Sequence, residues 1–186
     1  CDWSSDVCSS DLQEANLGFR LTKNVWLDAG FFRTHIGLES IQPRENITLS
    51  LASTTYYEPY FMSGAKLTWQ ANAHWTFQLN GFNAFNQFVE TNRNKAVGFS
   101  VGYNPNAQTS VAFSSICSDE LQRDDEPSTH MRLYNNLCVT HRTSRVVFGF
   151  ESNFGIQQHA QLSDTTKAAW MFSSLDRKST RLNSSH

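Results

Sequence analysis

The sequence predicts an all-β protein: a partial antiparallel up-and-down transmembrane β-barrel of about nine strands that forms an open arc. Apolar and polar residues alternate with a period of two along most of the chain, which places successive side chains on opposite faces of a strand. Short turns alternate with long connections. The chain also contains 14 Phe, 5 Trp and 5 Tyr, whereas disordered chains are poor in aromatic residues.

The alternating runs give the predicted strands. In the run from Tyr60 to Gln70, Leu67 and Trp69 lie on one face, and Lys66 and Thr68 lie on the other. No stretch shows a helical period of apolar residues. The runs cover roughly residues 16–22, 25–33, 60–70, 74–82, 95–103, 107–117, 130–140, 145–156 and 166–172.

Composition and the two ends set further limits. A chain of 186 residues is expected to form one domain, and a net charge of −2 argues against nucleic-acid binding, which needs a basic field. The Ser-rich, aperiodic ends at residues 1–12 and 177–186 resemble translated sequencing adapters, and we predict that both are artefact tails. The predicted partial outer-membrane barrel therefore spans residues 13–176.

Four short turns predict how the strands pair, because each apolar set must stay on one face. The predicted pairs are Leu17–Ala29, Phe19–Leu27 and Leu21–Val25 around Lys23; Trp69–Trp75, Leu67–Phe77 and Ala65–Leu79 around Asn72; Phe99–Val111 and Val97–Phe113 around Asn104–Asn106; and Leu137–Phe148 across His141–Ser144.

Long and short connections alternate along the predicted strands. Those near residues 23, 72, 105 and 142 are short, whereas residues 34–59, 83–94, 118–129 and 157–165 form long connections. This asymmetry is typical of outer-membrane barrels, and the runs are long enough for tilted strands to cross a bilayer. A closed barrel also satisfies every backbone hydrogen bond in hydrocarbon without a helix.

The two faces of the predicted sheet differ in chemistry. The apolar face, made of Phe, Leu, Val and Trp, is expected to contact lipid, and the small polar face is expected to line a water-filled lumen. The lumen-lining candidates are Lys66, Thr68, Gln78, Asn80, Ser100, Arg145 and Glu151. Beside the short turns, Trp69, Trp75 and Tyr103 are predicted to form an aromatic girdle at the membrane interface.

Several short motifs between Val25 and Asn104 carry a family resemblance. They are Asp28-Ala29-Gly30-Phe31-Phe32, Thr34 to Ser40, Glu58-Pro59-Tyr60-Phe61, Ser63 to Thr68, Leu79 to Asn83 and Gly98 to Asn104. With these motifs the chain resembles the OmpL-like β-barrel porin-2 family over most of residues 15–172. Because a barrel of that family needs more strands, we expect a chain that is truncated at both ends.

The resemblance implies a porin of the bacterial outer membrane. Small polar solutes or ions would diffuse passively through its lumen, and its surroundings would be the lipid bilayer and lipopolysaccharide. It implies no catalytic residue, no cofactor and no metal, so the chain is not expected to be an enzyme. A homo-oligomer is compatible with the resemblance, since porins are commonly trimers.

The segment from Thr34 to Pro59 combines opposite charges. Arg33, Glu39, Arg44 and Glu45 lie in it or beside it. We expect the segment to fold toward the lumen, where mixed charges would narrow the pore and filter solutes by polarity.

Two rival functions stay open at this point. One is a soluble or surface-displayed β-sandwich that binds carbohydrate or protein. The other is an outer-membrane barrel enzyme whose catalytic strands lie outside this sequence. The acidic stretch at residues 118–127 could bind cations, but a solvated loop explains it more simply. His35 and Glu39 lack the helical period that would join them in a metal site.

The two cysteines of the predicted domain do not establish a disulfide. The predicted strand pairing places Cys117 near Met131 and Cys138 near Ser110, so the two thiols are expected to lie apart. Their oxidation state is left open by the sequence.

Overall fold

The structure is a computed structural model that describes residues 14–40, 42–83, 95–119, 131–164 and 166–180. Nine strands form one open sheet in chain order. Two 3₁₀ helices, Pro43–Glu45 and Ser53–Tyr57, lie between β2 and β3, and none of the helices in these ranges is long and apolar enough to cross a membrane. The strands are β1 Ala15–Thr22, β2 Val25–Arg33, β3 Phe61–Gln70, β4 Trp75–Phe82, β5 Ala96–Asn106, β6 Thr109–Asp119, β7 Met131–Arg142, β8 Val146–Gln157 and β9 Ala169–Thr180.

This architecture confirms the predicted fold class. All strands pair antiparallel with their neighbours in sequence, as in an up-and-down barrel. A two-layer sandwich, which was the alternative fold, is not what the described residues form, because all nine strands belong to one sheet.

The pairing around the first two turns is partly as predicted. Leu17 pairs with Ala29 as expected, but a bulge near Leu21 makes Thr22 the partner of Val25. The predicted pairing around Asn72 is wrong by two residues, for example in Leu67, which pairs with Leu79. The cause is the side chain of Asn72, whose Oδ1 accepts the amide protons of His74 and Trp75 at 2.8 and 3.0 Å and moves the turn along the chain. The corrected partners of Trp69 and Ala65 are Phe77 and Gly81.

The other two predicted pairings are wrong by four residues. The strand β5 continues through Pro105 to Asn106, whose Oδ1 accepts the amide protons of Gln108 and Thr109, both at 2.9 Å, so the turn comes later than expected. The fourth turn is closed by Thr143, whose Oγ1 accepts the amide proton of Val146 at 3.0 Å. The observed pairs are Phe99–Ser115 and Val97–Cys117 in β5 and β6, and Leu137–Ser152 in β7 and β8.

Apart from the one-residue bulge near Leu21, each error is an even number of residues, so the predicted faces survive. The outer face carries apolar side chains that no second layer of the described chain covers; Leu79 and Val97 are 58% and 56% exposed. The inner face carries the small and polar residues together with one apolar cluster. That cluster contains Phe32, Ile36, Met62, Phe82, Ala96, Ile116 and Tyr134, with Met171 packed against it.

Cys117 and Cys138 are free and lie on opposite faces of the sheet. Cys117 pairs with Leu133 and Cys138 pairs with Ala112, which corrects the predicted pairing with Met131 and Ser110 by two residues. The separation of the two thiols agrees with the expectation from the sequence.

The predicted tails and the acidic loop are only partly described. Residues 1–12 and most of 118–127 lie outside the described residues. Residues 177–180 of the predicted second tail continue β9, where Arg177 pairs with Gly149. The adapter origin of both ends stays a prediction.

Candidate functional site

Residues 34–60, here called the inner segment, connect β2 to β3, and the described residues 34–40 and 42–60 lie against the inner face of the sheet. Ser114 of β6 donates its hydroxyl proton to the carbonyl oxygen of His35 at 2.9 Å. Asn136 of β7 accepts the amide proton of Gly37 at 3.3 Å, and Glu151 of β8 accepts that of Leu38 at 2.9 Å. Polar side chains of three strands therefore satisfy backbone groups of a segment that has no regular strand partner of its own.

Glycines make room for the inner segment. A Cβ at Gly98 would lie 3.1 Å from Cε1 of His35, and Gly149 lies in the same way beneath Leu38. Gly37 itself has φ of +99° and faces a carboxylate oxygen of Glu58, so both its backbone conformation and its contact exclude a larger residue. The small residues of the inner face suggested an open lumen in the sequence. At Gly98 and Gly149 they instead leave space that the inner segment fills.

A buried polar cluster joins the inner segment to β7 and β8. Glu151 Oε1 accepts protons from Nδ2 of Asn136 at 2.7 Å and of Asn153 at 2.8 Å. Asn153 Nδ2 also donates to Glu58 Oε1 at 2.9 Å, and the two carboxyl groups contact each other. These four side chains are at most 2% exposed, so every hydrogen bond replaces one that water would make.

The cluster changes the ionisation of Glu58. Burial, together with the neighbouring carboxyl group of Glu151, raises the pKa of Glu58 to about 9. Elsewhere in the inner segment, burial lowers the pKa of His35 to about 4, so its imidazole is neutral at pH 7. Both groups thus sit in the inner segment in their uncharged forms at neutral pH.

The constriction candidates differ in how deeply their side chains are buried. Glu39 is buried, and its carboxylate accepts protons from Ala52 N at 2.7 Å, from Thr55 Oγ1 at 2.9 Å and from Arg177 Nε at 2.7 Å. Glu39 therefore organises the inner segment from within, and it also lines the cavity that Arg33 and Glu45 line.

Arg33, Arg44 and Glu45 are more exposed than Glu39 and lie at the long-connection end of the sheet. Arg33 forms ion pairs with Glu14 and Glu45, and its side chain is partly exposed. Arg44 is exposed and donates to Gln42 Oε1 at 3.1 Å. A cavity of about 400 Å³ opens here between the inner segment and the wall, and Lys66, Arg33 and Glu45 are among its lining residues.

Six of the seven lumen candidates lie on the inner face. Thr68, Gln78 and Ser100 form one cross-strand row, and Lys66 pairs with Asn80 one level further along. Asn80 and Glu151 are buried beneath other groups. The seventh candidate, Arg145, is a correction: it lies in the exposed turn before β8, because that strand begins at Val146.

The girdle candidates cluster on the outer face beside the short turns. Trp75 pairs with Tyr103, and their ring centroids are 4.4 Å apart. Trp69 stacks on Phe77 at 5.4 Å, and Phe77 lies 6.1 Å from Trp75. Their role at a membrane interface stays a prediction.

The sequence analysis assigned no role to Glu58, Asn136 or Asn153, and it considered His35 only as a metal ligand. The alternation alone places Asn136 and Asn153 on the same face as Glu151, so the period of two was enough to predict their shared face. No local signal identifies Glu58 or His35, because their partners are far away in sequence. In the described ranges, no group of three or more His, Cys, Asp or Glu side chains could hold a metal ion.

Residues 3–176 of the chain match the protein family described as "Putative beta-barrel porin-2, OmpL-like". No curated protein and no solved structure matches the chain. The family match extends over all nine strands of the sheet except the last residues of β9.

Proposed function

The chain belongs to the OmpL-like beta-barrel porin-2 family, and on that premise we propose that it lets small polar solutes and ions diffuse passively across the bacterial outer membrane. The polar inner face borders the aqueous path. The outer face contacts the bilayer and its lipopolysaccharide. No covalent step and no cofactor take part.

The exposure of the two faces is the observation that supports this proposal most. Leu79 and Phe99 on the outer face are 58% and 44% exposed, whereas Asn80 and Ser114 on the inner face are 2% and 1% exposed. Water-soluble monomers rarely expose a large contiguous apolar surface. Lipid removes that cost, because the apolar side chains are then surrounded by acyl chains.

The wall chemistry supports polar solutes as the permeant class. Thr68, Gln78 and Ser100 offer hydroxyl and amide groups that can replace water around a solute. Asp28 pairs with Lys66 across β2 and β3, so one acidic and one basic group lie side by side on this wall. We therefore expect selection mainly by size and polarity.

The inner segment supplies the narrowing. It covers part of the inner face near β6 to β8 and leaves Thr68 and Gln78 half-buried nearer the short turns. A solute would pass beside the segment, where Lys66 lines the cavity described above.

Liposome swelling with neutral solutes of graded size tests the proposal. Swelling should slow as solutes grow, and Gln78→Trp should slow it further because the indole fills the path. The neighbouring Phe77 lies on the outer face, so Phe77→Trp is the matched control and should leave swelling unchanged.

Two results would contradict the proposal. One is liposomes that carry folded protein and yet admit no solute. The other is a protein that stays folded and monodisperse in buffer without detergent, since that would mean that the outer face does not need lipid.

A further inference from the structure

The carboxyl groups of Glu58 and Glu151 both accept protons from Nδ2 of Asn153, at 2.9 and 2.8 Å, in the buried cluster that holds the inner segment against the wall. We propose that these two groups share one proton, that Glu58 carries it, and that this pair positions the inner segment. The inference rests on the proposed function, because the segment it positions is the one that narrows the path.

The hydrogen-bond pattern assigns the negative charge to Glu151. Its two oxygens accept protons from Leu38 N at 2.9 Å and from Nδ2 of Asn136 and Asn153 at 2.7 and 2.8 Å. Three donors stabilise a carboxylate, so Glu151 is the anion of the pair.

The orientation of the two amides is fixed by their other contacts. Asn136 Oδ1 accepts the amide proton of Gly37 at 3.3 Å, and Asn153 Oδ1 accepts a proton from Asn136 Nδ2 at 2.7 Å. Both Nδ2 groups must then point toward the carboxyl pair. A flip of either amide would break these bonds and leave Glu151 with fewer donors.

The shared proton is therefore bound to the carboxyl group of Glu58. In the described ranges no Lys, Arg or His nitrogen lies within 4.0 Å of a Glu151 carboxylate oxygen, so a charged Glu58 would face an anion whose own charge no cation offsets at that distance. Like charges in contact and out of water cannot both ionise at neutral pH. A protonated Glu58 instead donates its proton to Glu151.

Other ionisable groups also face the pair. Their charges do not offset a second anion: the two tyrosines and the thiol are neutral in their usual form, and Glu39 is bound to Arg177. The facing groups are Glu39 and Tyr60 of the inner segment, and Tyr134 and Cys138 of β7.

The pair makes the position of the segment depend on pH. Burial raises the pKa of Glu58 to about 9 when the segment is docked, and a released carboxyl regains an ordinary value near 4.5. A raised pKa contributes stability that is complete below the released value and is lost as pH rises to the docked value. Docking should therefore weaken about tenfold per pH unit up to about pH 9.

Hydrogen exchange of the Gly37 to Ser40 amides measures docking directly, without any solute flux. The experiment uses the whole chain in lipid vesicles between pH 7 and 9, with rates corrected for intrinsic exchange. The wild type should lose protection about tenfold per pH unit. Glu58→Gln should stay protected throughout, because its amide replaces the donor that the proton supplied.

Glu151→Gln is the discriminating variant. Its amide would present a donor to groups that already donate, so protection should be lost at every pH. Asp164→Asn, at an exposed carboxyl that pairs with Lys167 in the connection before β9, is the matched control and should keep the wild-type profile.

Three results would overturn the proposal. These are a Glu58→Gln variant with the wild-type pH slope, a Glu151→Gln variant as protected as Glu58→Gln, and protection at pH 7 that EDTA abolishes, since a metal ion would then hold the pair. Vesicles in which exchange behaves as expected but no solute passes would refute the proposed function and leave this inference intact.

Discussion

Gly149 of β8 lies directly beneath Ile47 of the inner segment: a Cβ at Gly149 would lie 2.5 Å from Ile47 Cδ1 and 2.8 Å from Leu38 Cδ2. The wall and the segment are therefore fitted to each other at van der Waals distance. A glycine in a strand interior weakens the strand unless another group approaches it closely, and here that group is the inner segment.

Gly149→Val should displace the inner segment. The added side chain overlaps Ile47 and Leu38, and overpacking of this kind costs about 1–3 kcal/mol. Denaturant unfolding and exchange of residues 38–47 would measure it. The control is Gly81→Val on the outer face of β4, where an added Cβ meets no atom within 4 Å. Equal effects of the two substitutions would contradict a docked segment.

Leu79→Arg should impair membrane insertion, and Gln78→Arg should not. Leu79 is on the outer face and Gln78 is on the inner face of the same strand. An arginine that faces lipid near the bilayer midplane costs about 2–4 kcal/mol in a barrel, whereas a wall substitution changes selectivity. Heat-modifiable gel mobility after folding into vesicles measures insertion. Normal insertion of Leu79→Arg would mean that the outer face does not contact lipid.

Acid should release the inner segment through His35. Burial lowers the pKa of His35 to about 4, so docking is complete above the ordinary value near 6.5 and is lost as pH falls toward 4. The full effect is on the order of 3 kcal/mol. Exchange of the 34–40 amides from pH 7 to pH 4 measures it.

That measurement is best made with Glu58→Gln as the parent, because Glu58 has the opposite pH dependence in this range. His35→Gln should then flatten the acid response. His74→Gln, at an exposed turn, should leave it unchanged. Acid release that persists in His35→Gln would assign the response to another group.

The charges at the long-connection end should set ion selectivity. Arg33→Ala removes the partner of Glu45 and Glu14, and Arg44→Ala removes an exposed cation beside them. Both changes make this end more negative, so the double variant should favour cations. Reversal potentials in planar bilayers at low salt measure the shift, since salt screens exposed charges. If the double variant has the same conductance and ion selectivity as the wild type, these residues do not line the path.

Much of the fold could be predicted from the local pattern of apolar and polar residues. The period of two gave nine strands and their faces, because adjacent side chains of a strand must point to opposite sides whatever their partners. It also placed Lys66, Thr68 and Gln78 on the inner face. Exact pairing needed more, since the side chains of Asn72, Asn106 and Thr143 capture backbone amides and shift the turns.

The inner segment marks the boundary between what the sequence determined and what only the tertiary structure decided. Alternation and turn chemistry act between near neighbours, so they determined the strands, their faces and the apolar outer surface. The bonds of Gly37 to Asn136 and of Leu38 to Glu151 span 99 and 113 residues. No local pattern encodes such contacts, because they depend on a sheet that exists only after its strands have paired.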